Sequence, residues 1–337
     1  MKVAFVTTRP DKASFKFRVM QYIPYLRNSG LNYEILILPR NFFARRSFFR
    51  RLDDFDIVFW QKRLLGRMDL WTLGKNSRRL VFDVDDSIMY NDAKDGNFFS
   101  RRLSRRFKHM VEAADQVVVG NEFLRKFAAR YIDMEKILKI PSAVDMNVWD
   151  AKYRKTGSKN GVIIGWLGSQ STLPYWIDNL SVWKTICQRF PQVIFRVVCD
   201  GVEKMFSSPE YEGMAFQTVE WTEAAQVANC AAFDIGIMPL PDNPWTRGKC
   251  GFKLIQYLSL GIPAVASPVG VNTDIILHEE TGLLADSEED WSVCLSELIE
   301  NREKRLLLGN KGHHHVMKHY SLQAWLGAFQ GLFQPDT

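Results

Sequence analysis

The sequence predicts an α/β protein made of two domains, each a parallel sheet covered by helices. Both halves of the chain alternate short apolar segments with helical patterns, which is typical of parallel sheets. The chain has 337 residues, which is long for one core, so two domains of roughly 150 residues are expected. A content of 46% hydrophobic and 24% charged residues is that of an ordinary globular protein.

The apolar segments place the strands in chain order. In the first half we predict strands at Val3–Thr7, Tyr33–Leu38, Ile57–Trp60, Leu80–Phe82, Val117–Val119 and Ile137–Ile140. In the second half we predict them at Val162–Trp166, Ile194–Val198, Ala215–Thr218, Ile235–Met238 and Pro263–Ala266. The polar segment Ala151–Gly161 reads as a linker. We therefore expect an N-terminal domain at 1–155, a C-terminal domain at 156–320 and a last helical segment at 321–337.

Composition indicates the cellular compartment and the state of the cysteines. No segment approaches the ~20 apolar residues of a membrane span, and Lys2 followed at once by a strand-like VAFV is unlike a signal peptide. The cysteines are odd in number, widely spaced and without a CxxC pair: Cys187, Cys199, Cys230, Cys250 and Cys294. Reduced thiols in a cytoplasmic protein without a zinc site are the expectation.

The most informative segment is RGKCGFKLIQYLSLGIPAVASPVGVN, residues 247–272. It reads as a glycine-rich basic turn, a helix and a short buried strand. Arg247, Lys249 and Lys253 crowd the start of the helix, while Gly248 and Gly251 allow close approach to the backbone. Because a helix N-terminus favours anions, this segment predicts a phosphate or diphosphate site.

The segment resembles the donor-binding motif of family-4 glycosyltransferases, in a branch with lysines at the positions of Lys249 and Lys253. The family pattern has two glutamates, whose positions are occupied here by Gly248 and Gln256. The resemblance continues at Trp221-Thr222, from Asp234 to Leu240, from Thr281 to Leu284 and at Tyr320-Ser321. It covers most of residues 160–325.

The resemblance implies a GT-B fold: two Rossmann-like parallel-sheet domains facing each other across a cleft that holds the active site, with the last helix returning to the N-terminal domain. It implies transfer of a sugar from a nucleotide-diphosphate donor to a glycan or lipid-linked acceptor, with retention and without a metal or other cofactor. The N–H groups of Gly251 and Phe252, with Lys249 and Lys253, would stabilise the leaving diphosphate. In the family the second glutamate holds the donor ribose, and Gln256 can still hydrogen-bond it.

A second turn of interest follows the first strand of the second half. Similar family members place this turn, here Gly168-Ser169-Gln170-Ser171-Thr172, beside the donor. Gly168 permits close backbone approach, and Ser169 can donate to phosphate or cap the next helix. The alternative interpretation is a helix cap alone.

Carboxylates end a strand of the first half, at Asp83, Asp85 and Asp86. In the resembling branch they lie on the acceptor side, so Asp85 or Asp86 is expected to orient an acceptor hydroxyl; metal ligation and a structural cap are the alternatives. Asp83 and Asp85 also fit an Asp-x-Asp-x-Ser phosphatase motif. Ser14 and Arg18, after the first strand, are candidate acceptor contacts; for Arg18 the donor phosphate and a plain surface position are alternatives.

Charge differs sharply between the halves. Residues 1–155 carry 31 Lys and Arg against 18 Asp and Glu, and residues 156–337 carry 13 against 20. Two basic-aromatic clusters, 40–51 and 98–108, lie in the first half. We expect these clusters to bind an anionic membrane, as a peripheral protein on the inner face of the plasma membrane, rather than nucleic acid. The same residues could instead bind RNA.

The function predicted from sequence is that of a glycosyltransferase. The loss of both motif glutamates leaves a non-catalytic nucleotide- or membrane-binding protein as one alternative, and the Asp83–Asp85 pair leaves a phosphatase as another. His313-His314-His315 falls in a helical pattern, where consecutive residues point to different faces, so no metal site is expected there.

Overall fold

The computed structural model describes residues 1–28, 30–92, 96–154, 161–202 and 208–334. The chain divides into two compact units. The first unit comprises Met1–Ala143, Asn243–Cys250 and Leu322–Thr337; the second comprises Val144–Asp242 and Gly251–Ser321. Residues 144–154 and 243–250 thus lie in the opposite unit from the one that the sequence boundaries gave them. Of the expected linker, residues 155–160 lie outside the described residues.

The first unit is built on a six-stranded parallel sheet in the order β2-β1-β3-β4-β5-β6. Its strands are β1 Lys2–Thr7, β2 Asn32–Ile37, β3 Ile57–Gln61, β4 Leu80–Val84, β5 Gln116–Val119 and β6 Ile137–Lys139. Its helices are α1 Ala13–Arg18, α2 Ile23–Asn28, α3 Phe42–Arg51, α4 Arg67–Lys75, α5 Arg101–Ala113, α6 Glu122–Ala128 and α14 Leu322–Gly331. β3 and β4 are buried along their whole length, as expected for strands covered on both faces.

The second unit has the same architecture, with strand order β12-β11-β10-β7-β8-β9. Its strands are β7 Val162–Leu167, β8 Val193–Val198, β9 Phe216–Val219, β10 Ile235–Met238, β11 Ala264–Ala266 and β12 Leu283–Leu284. Its helices are α7 Leu173–Ile177, α8 Leu180–Arg189, α9 Gln226–Cys230, α10 Phe252–Ser259, α11 Asn272–Ile275, α12 Glu288–Glu300 and α13 Arg302–His319. The pairings within both sheets are parallel.

The predicted α/β class is confirmed: all eleven predicted strands are present, with ends that differ by at most two residues. The sequence did not predict β12, which is only two residues long. Such a short strand has too few side chains to show a pattern.

The last helix packs within the first unit. Phe329 of α14 stacks on Tyr22, with ring centroids 4.2 Å apart. Phe333 lies 5.5 Å from Phe5 of β1. These aromatic contacts hold the end of the chain against the first sheet.

The five cysteines are free and buried. Within the described ranges, the helices are all too short or too polar to cross a membrane.

Candidate active site

In the first unit, polar side chains gather at the carboxyl ends of the central strands. Parallel strands end at one edge of a sheet, which is where ligands bind in open α/β folds. The group comprises Ser14 after β1, Gln61 and Lys62 at the end of β3, and Asp83, Asp85 and Asp86 at the end of β4.

Arg18 and Asp83 form a buried ion pair. Arg18 is 4% exposed and Asp83 fully buried. Nη2 and Nε of Arg18 donate to the two oxygens of Asp83 at 2.5 and 3.3 Å, and Nη1 donates to the Ile140 carbonyl at 2.5 Å. Burial opposes the charge of Arg18, but attraction to Asp83 outweighs it and raises the pKa of Arg18. Burial also raises the pKa of Asp83, despite the nearby Arg18. The guanidinium keeps its charge and contacts both oxygens of Asp83. We therefore assign Asp83 as a carboxylate at neutral pH.

This pairing changes the expectation for two residues. The guanidinium of Arg18 is committed to Asp83 and Ile140, so we remove Arg18 from the acceptor contacts predicted from sequence. Asp83 is equally enclosed, and it could not serve as the nucleophile of a phosphatase.

Asp85 lies in the centre of a hydrogen-bonded network. Ser14 Oγ donates to Asp85 Oδ2 at 2.5 Å and accepts from Gln61 Nε2 at 3.0 Å. Lys62 Nζ lies 3.1 Å from Asp85 Oδ1 and 3.3 Å from Asp86 Oδ2. Burial opposes ionisation of Asp85, but Lys62, Arg18 and the Ser14 hydrogen bond outweigh it and lower the pKa of Asp85. Asp85 is therefore a carboxylate at neutral pH and an acceptor of hydrogen bonds.

Lys62 is a residue that the sequence analysis missed. Its backbone is left-handed, with φ of 62°, a conformation that is energetically costly for a residue other than glycine. This conformation accompanies the approach of its ammonium group to both Asp85 and Asp86. A left-handed residue leaves no mark in an apolar pattern; the available signal was a cation directly after β3, the strand that pairs with β4.

The segment Asn243–Cys250 packs against the ends of β4 and β5. Nδ2 of Asn121 donates to the carbonyls of Gly248 and Lys249 at 2.9 and 3.0 Å, and Cys250 Sγ donates to the Asp85 carbonyl at 3.1 Å. Burial and the nearby Asp85 raise the pKa of the Cys250 thiol to about 12. The thiol therefore stays protonated and serves as a structural donor rather than a nucleophile.

Gly248, which occupies the position of the first motif glutamate, has no room for a side chain. A Cβ there would lie 1.9 Å from Ser87 Oγ and 2.8 Å from the Ser87 amide nitrogen. Ser87 is itself held by donation from its hydroxyl to the Pro244 carbonyl at 2.8 Å. The glycine is thus required by the close approach of two chain segments.

In the second unit, the turn after β7 meets the start of α10. Lys253 Nζ lies 3.4 Å from Thr172 Oγ1 and 5.3 Å from the centroid of the Trp166 ring. The amide of Ser169 donates to Thr172 Oγ1 at 3.2 Å. A Cβ on Gly168 would lie 2.0 Å from the Trp166 ring, so the glycine also makes room for that ring.

The start of α10 has the features of an anion site. Gly251, with φ of 63°, precedes the helix, and a Cβ there would lie 2.3 Å from Ile275. The first turn contains no acidic residue, and no side chain caps the helix. Gln256 is only 3% exposed, yet its side-chain amide makes no hydrogen bond with any residue that the structure describes. A buried amide in this state favours a polar ligand.

The basic residues predicted for the donor divide between the units. Lys253 belongs to the second unit with Gly168, Ser169, Gly251, Phe252 and Gln256, whereas Arg247 and Lys249 belong to the first. Arg247 is exposed, and Lys249 Nζ lies over the Trp245 ring at 5.4 Å.

Fewer phenylalanines of the two basic-aromatic clusters are exposed than the sequence suggested. Phe49 and Phe107 are buried in the first core, and Phe48 packs against it. Phe42, Phe43 and Phe99 are exposed. Half of the predicted apolar contribution of the 40–51 cluster therefore belongs to the core, because α3 must bury one face against β3.

Among the residues that the structure describes, no group of three or more His, Cys, Asp or Glu side chains is arranged to hold a metal ion. The Lys62 ammonium lies between Asp85 and Asp86, where a cation would otherwise bind. His313 and His315 contact different carbonyls, those of Ser259 and Asp274.

The backbone closely resembles solved GT-B glycosyltransferases. Anabaena HepE, solved with UDP and glucose, is 14% identical, with a TM-score of 0.73 over 98% of this chain and 99% of that one. Sucrose-phosphate synthase from Thermosynechococcus elongatus is 13% identical, with a TM-score of 0.75 over 99% and 98%. S. aureus TarM, solved with UDP and sugar ligands, is 16% identical, with a TM-score of 0.66 over 86% of this chain and 58% of that one. The fold class is thus GT-B.

A family model also matches part of the second unit. Residues 163–301 match the family model described as Glycosyl transferases group 1. This match confirms the resemblance seen in the motifs of that segment. No curated protein matches the chain in sequence.

Proposed function

We propose that the protein transfers a sugar from a UDP-sugar to a glycan or lipid-linked acceptor, with retention and without a metal ion. The observation that carries the donor assignment is the α10 start, where Lys253, Thr172 and the uncapped helix meet beside the buried amide of Gln256. HepE and TarM were each solved with UDP, which supports uracil as the base.

The donor residues would act as follows. Lys253 and the first N–H groups of α10, at Gly251 and Phe252, hold the diphosphate, with Ser169 as a further donor. Gln256 hydrogen-bonds the ribose. As the glycosidic bond breaks, the UDP leaving group gains negative charge, which Lys253 and the helix dipole stabilise. Arg247 and Lys249 supply additional positive charge.

On the acceptor side, Asp85 and Asp86 would accept a hydrogen bond from the attacking hydroxyl and orient it. The lowered pKa of Asp85 keeps it in the accepting form. The acceptor oxygen forms the new bond to the sugar carbon, the bond to the diphosphate oxygen breaks, and the acceptor proton passes to the departing diphosphate. Neither aspartate needs to act as a nucleophile.

The competing function is a non-catalytic nucleotide-binding protein, which the Gly248 and Gln256 positions favour. It would bind UDP yet transfer no sugar. Activity towards a sugar donor, measured as UDP release with a lipid or glycan acceptor fraction, separates the two.

Calorimetry with UDP tests the donor site. We expect Lys253→Ala to weaken UDP binding about 10- to 100-fold, since a charge-assisted hydrogen bond contributes about 1.5–3 kcal/mol. Lys311→Ala, an exposed lysine of α13, is the control and should bind as the unaltered protein does. Equal affinity in both variants would place the diphosphate elsewhere.

We further propose a cytoplasmic location, peripheral to the inner face of the plasma membrane. The exposed arginines of α3 and α5 support it, because cytoplasmic leaflets are anionic.

A further inference from the structure

Helices α3 and α4 expose large apolar side chains close to one another. Phe42 and Phe43 of α3 are 46% and 77% exposed, and Met68 and Trp71 of α4 are 66% and 69% exposed. All ten tryptophans lie within the described residues, and among them only the side chain of Trp71 is mostly exposed to solvent. The sequence analysis did not select Met68 or Trp71.

Two grooves run beside α4 and share Trp71 and Arg67. One, of about 340 Å³, lies against α3 and is lined by Phe42, Arg46 and Met68 among others. The other, of about 500 Å³, lies against α5 and includes His109 and Ala113. The three helices thus form one continuous surface with Trp71 at its centre.

The charge of this surface is strongly positive. Helices α3, α4 and α5 carry eleven Lys and Arg residues and two acidic residues. Both acids have partners: Asp69 pairs with Arg45 at 2.7 Å, and Glu112 with Lys108 at 3.7 Å. Burial, Arg102, Arg63 and Arg105 lower the pKa of Arg106, which shows how closely these cations are crowded. An anionic partner would relieve this repulsion.

Cations also border the apolar centre directly. The Arg46 guanidinium lies 5.7 Å from the Phe42 ring centroid, and Lys75 Nζ lies 5.4 Å from that of Trp71. Large apolar side chains surrounded by cations are the composition of protein surfaces that enter the lipid headgroup region. RNA would use aromatic rings for stacking, whereas exposed Met68 offers no flat ring, so the surface favours lipid.

We propose that Phe42, Phe43, Arg46, Arg67, Met68 and Trp71 form a docking face that inserts into an anionic bilayer surface. Its apolar members enter the interface, and its arginines bind lipid phosphates. The inference rests on the proposed function for the peripheral location, to which it assigns a specific surface. It differs from the clusters predicted by sequence in placing α4 at the centre.

Vesicle sedimentation tests the docking face in the full chain. Phosphatidylcholine vesicles with about one third phosphatidylglycerol should bind the protein, and phosphatidylcholine vesicles alone should bind it weakly, with the difference reduced by salt. Arg46→Gln with Arg67→Gln should weaken binding about fivefold per cation, as about 1 kcal/mol for each basic residue predicts. Met68→Ser with Trp71→Ser should remove the binding that persists at high salt.

Trp71 provides a built-in reporter. Its emission should shift to shorter wavelength on anionic vesicles, and Trp71→Phe should bind normally but lose that shift. The matched control is Val293→Ser with Leu307→Ser, an exposed apolar pair in the second unit, which should change nothing. Unaltered binding in the Met68 and Trp71 double variant, or an equal loss in the control, would overturn the proposal, as would RNA competing fully with vesicles.

UDP calorimetry on the same variants separates the two proposals. Folded docking-face variants should keep the affinity of the unaltered protein for UDP. Vesicle binding without any UDP binding would refute the donor site and leave the docking face intact. UDP binding with no vesicle binding at low salt would do the reverse.

Discussion

The two units place polar residues at the same position, the carboxyl ends of a parallel sheet, but treat charge in opposite ways. In the first unit, carboxylates and cations satisfy one another: Arg18 with Asp83, and Lys62 with Asp85 and Asp86. In the second, the α10 start joins a lysine to an uncapped helix without an acid in its first turn.

This difference distinguishes charged residues that stabilise the fold from charged residues that are available to bind a ligand. A buried ionic network contributes to stability when complete and is costly when one member is lost. A positive helix terminus contributes little to folding and gains most when an anion binds. Substitutions of the paired cations Arg18 and Lys62 should therefore change stability, and those at the α10 start should change affinity.

The largest effect should come from Arg18→Leu. It leaves Asp83 buried without its partner, so we expect the free energy of unfolding, measured in urea, to fall by about 3–5 kcal/mol. The double variant Arg18→Leu with Asp83→Leu removes both charges and should recover part of this loss. A single variant as stable as the double variant would show that the pair does not act as an ionic unit.

Next in size is Lys62→Met, whose effect should depend on pH. The pKa of Asp85 is lowered in the folded state, so its contribution is present above the unfolded value near 4 and lost as pH falls through the folded pKa. We expect the variant to be less stable by about 2 kcal/mol at neutral pH, with the difference shrinking below about pH 4.

The raised pKa of Lys62 gives the other limit of this range. Its contribution is complete below the unfolded value near 10 and persists until pH exceeds the folded pKa. Lys126→Met, at an exposed site of α6, is the control. A difference constant from pH 3 to pH 7 would exclude Asp85 as the partner whose charge matters.

The smallest expected effect, and the sharpest for the comparison, is that of Gln256→Ala. Loss of a ribose hydrogen bond should weaken UDP binding about tenfold, or roughly 1.4 kcal/mol. Pyrophosphate binding should not change, and neither should the folded hydrogen-bond network, since this amide has no partner in the described chain. Gln256→Glu, the residue of the family pattern, should retain UDP binding; an inert Gln256→Ala would show that the ribose lies elsewhere.

Much of the fold could be predicted because buried parallel strands have sequences made mostly of apolar residues. Ten of the eleven predicted strands contain three or more apolar residues, whereas β12 has only Leu283 and Leu284. The candidate anion site at residues 247–253 could also be predicted, because the glycines and lysines that mark a helix start are close together in the sequence. Neither prediction required knowledge of distant contacts.

The parts that the sequence could not supply depend on tertiary neighbours. The burial of Arg18 is set by Asp83, which is 65 positions away. The role of Lys62 depends on a left-handed backbone, and that of Gly168 on the Trp166 ring. Met68 and Trp71 share α4 with the buried residues Leu70 and Leu73, so their exposure follows from how α4 packs.

The contact between Gly248 and Ser87 has a consequence for engineering. Returning the family glutamate to position 248 would force its Cβ onto the Ser87 hydroxyl and amide, so the substitution should fail alone. Shortening Ser87 to alanine removes the hydroxyl but leaves the amide nitrogen, so even the pair would be only partly compatible. A glutamate at position 248 therefore requires the backbone of this loop to move away from Ser87.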